Sequence, residues 1–393
     1  MEITRFLSRT QNLRDLPQVL LPFALSRVLI AVLIVVAGNT VLVRESADVG
    51  FVLRPETNLT IANARNALGV VFSAADAGWY RGIAEFGYSR TPAPSPGPEN
   101  WVFFPLFPLC LRFLAWLTGS FALVGSLFSN LCFLGGLVAL HRYLRHEGFD
   151  DAFRRRVLWL TCFFPTSYFF SAPITESLFF LLTTSSFLAL SVRRPLLSAA
   201  LWGLATATRP TAILMLPGFV LALFHRTRND TRTRLQALLL APLGGVIFAL
   251  YLWQLNGDPL SFSHNQAAWN RFQQGFFELV AQLASDPGHV MMDWNFIWLN
   301  ASVAILATIG AVWFVLSKRP DYALLLFLPI AASLATGTVL SLARFVVALF
   351  PFLIFLGMIT ERPWAERTVL AACAVGLGMA TWLYGSLVTA FLA

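Results

Sequence analysis

Five ionisable residues stand where an apolar chain has least reason to keep them. Asp76 heads "DAGWYRGIAEFGY", Glu176 lies in "SAPITESLFF", Arg209 in "ATATRPTAI", His264 in "PLSFSHNQAAWNR" and Arg344 in "SLARFVVALFP". Each interrupts or borders an apolar run, where an ionisable group is costly and is a functional candidate by default. A carboxylate can take the proton of a weakly acidic hydroxyl as that oxygen attacks. Arginines grip phosphate bidentately and stabilise charge that develops on it. Two arginines, two carboxylates and a histidine at one aqueous boundary would make a site for an anionic, lipid-borne substrate.

Each residue also has a plainer role. Asp76 begins a stretch in which Trp79, Ile83 and Phe86 share one helical face while Arg81 and Glu85 pair at i, i+4. An Asp there would cap the helix, stabilising by roughly 1 kcal/mol, and a cap can also be a base. Glu176 could cap its own helix or neutralise an arginine. Arg209 and Arg344 could snorkel to headgroups, although Arg209 stands directly before Pro210 at a helix break. His264 in a polar loop fits a surface histidine, and the aromatic stretch 262–277 fits an interfacial belt as well as a substrate cradle.

The elements that position these residues follow from composition. Hydrophobic residues make up 57% of the 393 and charged residues only 12%, far from the balance of a soluble domain. The 36 Phe and 12 Trp fall in runs long enough to cross a bilayer. The expected class is an all-α polytopic membrane protein, a single integral domain over 1–393, with no alternation of the transmembrane-barrel kind. Arg5, Arg9 and Arg14 precede an apolar run too long for a signal peptide, which reads as an uncleaved first span. The net charge of +8 follows from arginines flanking spans and implies no nucleic acid. Cys110, Cys132, Cys162 and Cys373 lie inside apolar runs without metal-ligand spacing.

Basic clusters at 1–16, 142–156, 193–194 and 226–234, with weaker ones at Lys318/Arg319 and Arg362/Arg367, should all face the cytoplasm. That parity gives about 11 spans, near 17–42, 120–141, 157–172, 174–192, two short helices within 195–224 broken at Thr208-Arg209-Pro210, then 235–256, 295–316, 321–340, 345–360 and 368–391. The run "WVFFPLFPLCLRFLAWLT" (101–118) becomes an outer interfacial or re-entrant helix, which its two prolines and Arg112 favour. Two outer segments result, 43–119 and 257–294, the first holding a polyproline-like "TPAPSPGPEN". Asp76, Glu176, Arg209, His264 and Arg344 then all fall at the outer boundary.

At these motifs the chain resembles the PIG-V family, mannosyltransferases of the GT-C superfamily. The resemblance rests on residues 76–88, "FFPLFPLCLR" (103–112), "FFPTSYFFSAPITESLF" (163–179), "LATATRPTAILMLP" (204–217) and "LARFVVALFPFLIF" (342–355), in family order across most of the chain. It implies a GT-C-type fold with outer interfacial helices and a polyprenyl-phosphate hexose donor, with mannose the expected sugar. It also implies a lipid-linked or glycolipid acceptor and an inverting reaction without metal or other cofactor. By motif position Asp76 is the base, and Arg209 and Arg344 hold the donor phosphate. Glu176, His264, Gln266, Trp79 and Tyr80 contact substrate. A single Lys against 27 Arg points to a bacterial cytoplasmic membrane, with the site on its outer face. The rival is a transporter or flippase of an anionic lipid-linked sugar. It should need polar residues at mid-depth, where Arg27 alone stands out.

Overall fold

The computed structural model describes residues 2–44, 50–53, 60–72, 74, 76–227, 230–269, 271, 275–285 and 297–386. The remainder of the two expected outer segments, and the end of the last expected span, lie outside the described residues. The described chain is helical apart from one antiparallel hairpin, Val41–Arg44 with Gly50–Leu53. Among the described residues, five segments are long and apolar enough to cross a membrane: Leu16–Asn39, Val124–His146, Thr231–Asn256, Trp298–Leu316 and Pro363–Gly385. With their exposed leucines, isoleucines and tryptophans, they make the chain an α-helical membrane protein.

The other expected spans are shorter helices. Asp151–Phe163 stops before Pro165, Glu176–Ser191 begins after a buried 3-10 turn, and Pro195–Thr206 ends before the Arg209-Pro210 break. Pro320–Ala335 and Phe350–Ile359 flank a six-residue helix, Leu342–Val347. The apolar runs in the sequence continue through these breaks. The helices do not, because prolines and polar turns interrupt their hydrogen-bond ladders.

One end of the bundle gathers the basic loops. Arg226 and Arg319 both pair with Glu147, Arg319 also with Asp321 at 3.0 Å, and Arg156 reaches Glu366 at 3.1 Å and the Gly357 carbonyl at 3.1 Å. Cations there also suit the carbonyl ends of helices such as Leu216–Arg226, which finishes in His225 and Arg226. The short helices run from these loops toward the opposite end, where their breaks converge. Glu176–Ser191, with 16 residues, rises about 24 Å at ~1.5 Å per residue.

Over that opposite end lies a layer made of Asp76–Phe86, Leu106–Thr118 and the 256–269 region. The Leu106 amide donates to the Ala207 carbonyl at 3.0 Å, joining the 106–118 helix to the 207–209 break. The proline-rich stretch is tied down rather than free. Asn265 accepts from the Glu99 amide at 2.8 Å and donates to the Gly97 carbonyl at 3.0 Å, while the Ala93 amide donates to the Asn256 carbonyl at 3.2 Å.

Arg27 is clamped at the centre of the first span. Its Nη1 donates to the Ser167 carbonyl at 2.9 Å and Ser171 Oγ at 3.0 Å, and its Nη2 to Ser167 Oγ at 2.7 Å and the Cys162 carbonyl at 3.3 Å. Its charge rests 4.8 Å from the Phe133 ring centroid. The guanidinium thus fixes the turn that leads into Glu176.

Close helix contact depends on small residues, as is usual within membranes. A Cβ at Gly244 would fall 2.1 Å from the Gly203 carbonyl oxygen, and one at Gly203 would fall 2.5 Å from that of Leu240. Gly378 has nothing within 4 Å of such a Cβ. Gly244→Val is therefore expected to cost roughly 2 kcal/mol or more and to lower the thermal unfolding midpoint in detergent, while Gly378→Val leaves it nearly unchanged. Equal midpoints for the two variants would refute the close crossing.

Candidate functional site

Glu176 is the centre of an ion cluster. It opens the helix Glu176–Ser191, where the positive end of the helix dipole favours a carboxylate, and its side chain is fully buried. Arg344 Nε donates to Glu176 Oε1, and Arg209 Nη1 lies 2.6 Å from the same oxygen. Glu176 Oε2 is buried without a hydrogen-bond partner among the described residues. Arg344 Nη1 donates to Asp76 Oδ2 at 2.6 Å, so one guanidinium bridges both carboxylates.

Each member is held by local structure. Arg209 is extended (φ −153°, ψ 145°), the conformation imposed by the following Pro210, and its side chain points out of the helix break. Arg344 rides on Leu342–Val347. The residue before Arg344 is anchored on both sides: Asn300 Oδ1 accepts from the Ala343 N–H at 2.8 Å, and Thr166 Oγ1 donates to the Ala343 carbonyl at 3.1 Å. Asp76 is placed by its helix, which docks through Tyr80. The Tyr80 hydroxyl shares a hydrogen bond of 3.2 Å with Thr175 Oγ1, one residue before Glu176.

The two carboxylates differ in access. Glu176 is sealed, whereas 29% of the Asp76 side chain is exposed. Asp76 is thus the acid of the pair that is open to its surroundings, and Glu176 is the counter-charge that lets two arginines sit in an apolar body. Asp76 is the first residue of its helix, one position past the cap, so its side chain serves the cluster from the positive end of the helix dipole.

Aromatic rings wall the exposed side. Trp79 stacks on Phe103 at 5.9 Å and meets Trp269 edge-on at 4.9 Å, and Phe103 also contacts Trp269 at 5.5 Å. Tyr80 packs on Phe103 and Phe107. Of the expected substrate contacts, Trp79 and Tyr80 adjoin the cluster. His264 and Gln266 turn to local partners: His264 Nδ1 lies 2.7 Å from Asp258 Oδ2 at an exposed position, and the Gln266 amide donates to the Phe262 carbonyl at 3.3 Å. Neither makes a described contact with the cluster.

Arg271 was not singled out in the sequence. Its guanidinium carbon lies 5.9 Å from the Phe345 ring centroid, the ring also flanked by Arg209 at 4.7 Å and Arg344 at 5.9 Å. Burial lowers its affinity for its proton, Asp76 opposes that, and the neighbouring Arg344 and Arg209 add to it. The available signal was a basic residue in an aromatic stretch assigned to the outer side, against the usual charge bias.

A cavity of about 460 Å³ lies at the other, basic end, lined by Tyr143, Leu221, Arg226, Lys318 and Arg319 among others. Its arginines are occupied by Glu147 and Asp321, and it shares no residue with the ion cluster.

No family model, curated protein or solved structure matches the chain. The fold is that of a helical membrane protein whose buried ion cluster lies away from the basic loops.

Replacing Glu176 by Gln keeps its shape but leaves Arg209 and Arg344 facing Asp76 alone. Removing one partner of a buried ion cluster costs about 3–5 kcal/mol. Glu176→Gln should therefore unfold at a clearly lower temperature than wild type in the same detergent. A midpoint within a degree of wild type would show that Glu176 does not neutralise the arginines.

Proposed function

We propose that the chain is a GT-C-type glycosyltransferase of the PIG-V kind. It moves a hexose, mannose by the resemblance, from a polyprenyl-phosphate donor to a lipid-linked or glycolipid acceptor. The observation that carries this reading is Asp76, a part-exposed carboxylate held 2.6 Å from Arg344 Nη1 beside a sealed Glu176. Such an arrangement offers a carboxylate base at the edge of a buried, arginine-rich cluster.

In this reaction the acceptor oxygen attacks the anomeric carbon and its proton passes to an Asp76 carboxylate oxygen. The bond between that carbon and the phosphate oxygen breaks, and its electron pair leaves with the polyprenyl phosphate. Direct displacement inverts the anomeric centre. Arginines preorganised around the site lower the energy of the phosphate charge as it develops. By the positive-inside rule the basic loops lie in the cytoplasm, which puts the cluster toward the opposite face. The short helices support a recessed position: a rise of about 24 Å leaves Glu176 roughly 6 Å short of a 30 Å hydrocarbon core, within reach of a lipid phosphate and its first prenyl units.

A translocation pathway is less well supported. Arg27, the ionisable residue expected at mid-depth, spends its donors on backbone carbonyls and serines.

Purified protein is given radiolabelled polyprenyl-phosphate mannose and a lipid extract of its native membranes, and label is followed into new glycolipid. Asp76→Asn should reduce transfer about 10²–10⁴-fold without loss of folding. Equal transfer by the variant would remove Asp76 from the chemistry. Movement of intact donor across sealed vesicles, with no new glycolipid, would sink the transferase reading.

A further inference from the structure

The ion cluster carries one positive charge too many. Two carboxylates, Asp76 and Glu176, face three arginines, and the carboxylates already engage Arg209 and Arg344 directly. Arg271 has no carboxylate partner among the described residues, although it is half-buried beside Phe345 and two other guanidiniums. Only its backbone is committed, the amide donating to the Gln266 carbonyl at 3.3 Å. A cation held among cations, opposed by an Asp76 that is already bound to Arg344, is a place where an anion gains.

A second, independent observation lies two residues away. Trp269 Nε1 is buried and has no hydrogen-bond partner among the described residues. An indole nitrogen can only donate, and a buried donor left unmade is costly. Its ring edge meets Trp79, one helical turn beyond Asp76. The orphan donor and a cation without a direct ion pair therefore flank the aromatic wall on the reachable side of the base.

We infer that Trp269 and Arg271 form the clamp for the donor headgroup: Arg271 pairs with the phosphate that links sugar to prenyl chain, and Trp269 Nε1 donates to a sugar hydroxyl. This rests on the transferase reading and revises its phosphate assignment. Arg209 and Arg344 are held by carboxylates, so their role is to position Asp76 and shape the field, while Arg271 makes the direct contact. The sugar lies against Trp79 and Phe103, with its anomeric carbon turned toward Asp76.

The test is equilibrium binding of two radiolabelled probes to the full-length protein in nanodiscs: polyprenyl-phosphate mannose, and polyprenyl phosphate lacking the sugar. Arg271→Gln should weaken both probes by about tenfold or more, and Arg271→Lys should recover most of the loss because the charge is kept. Trp269→Phe should weaken the mannose-bearing probe about three- to tenfold and leave the sugar-free probe unchanged. Thermal midpoints close to wild type are expected for all three, since neither side chain has a described polar partner to lose. If wild type binds both probes and Arg271→Gln binds them equally well, the clamp is wrong while the transferase reading stands. Equal loss of both probes in Trp269→Phe would remove Trp269 from the sugar. Failure of wild type to bind either probe would overturn the clamp and the transferase reading together.

Discussion

The structure turns on a fully buried Glu176 and what it takes to keep that charge inside an apolar bundle. An isolated carboxylate in such a medium costs several kcal/mol even after relaxation. Here it is met by Arg344 and Arg209 on one oxygen and by the N-terminus of its own helix. Two guanidiniums over-neutralise one acid, and Asp76 restores the balance through Arg344. Four segments far apart in the chain must therefore arrive at one point: the 76–86 helix, the 176–191 helix, the 209 break and the 342–347 helix. The supporting bonds, Tyr80 to Thr175, Asn300 and Thr166 to Ala343, and Arg27 to the 167–171 turn, hold the backbone on which those charges stand.

Much of this was legible before the structure. Proline and charge parity located the break at Thr208-Arg209-Pro210 and singled out 101–118 as different from a span, and both appear as a helix break and a 13-residue helix docked on that break. Four of the five residues first picked from the apolar context, Asp76, Glu176, Arg209 and Arg344, meet in one cluster. Their signal was the cost of ionisable groups in apolar runs, which needs no knowledge of partners.

What escaped depended on contacts between distant residues. Nothing local to "AAWNR" reveals that Arg271 would face Phe345, or that Trp269 would be left without an acceptor. His264 was picked for its place at the outer boundary, and its pairing with Asp258, six residues earlier, depends on a turn that the local pattern does not show. Span lengths were overestimated for a related reason. Hydropathy averages over a window, so apolar residues in 3-10 turns and breaks, such as Phe164 and Ser167–Phe170, counted as membrane-crossing helix.

Those shortened helices connect the fold to the chemistry. A full-length bundle would carry its charged ends up to bulk water, where a surface ion pair is screened and worth little. Helices that stop early hold Glu176, Arg209 and Arg344 below that level, in a medium where each charge acts more strongly on the others. The same recess is shut off from above by the 76–86 and 106–118 helices and the strapped proline-rich stretch. The energetic burden of assembling a buried charged cluster is offset within the cluster itself, because the desolvation that makes Glu176 expensive also strengthens its pairing with Arg209 and Arg344.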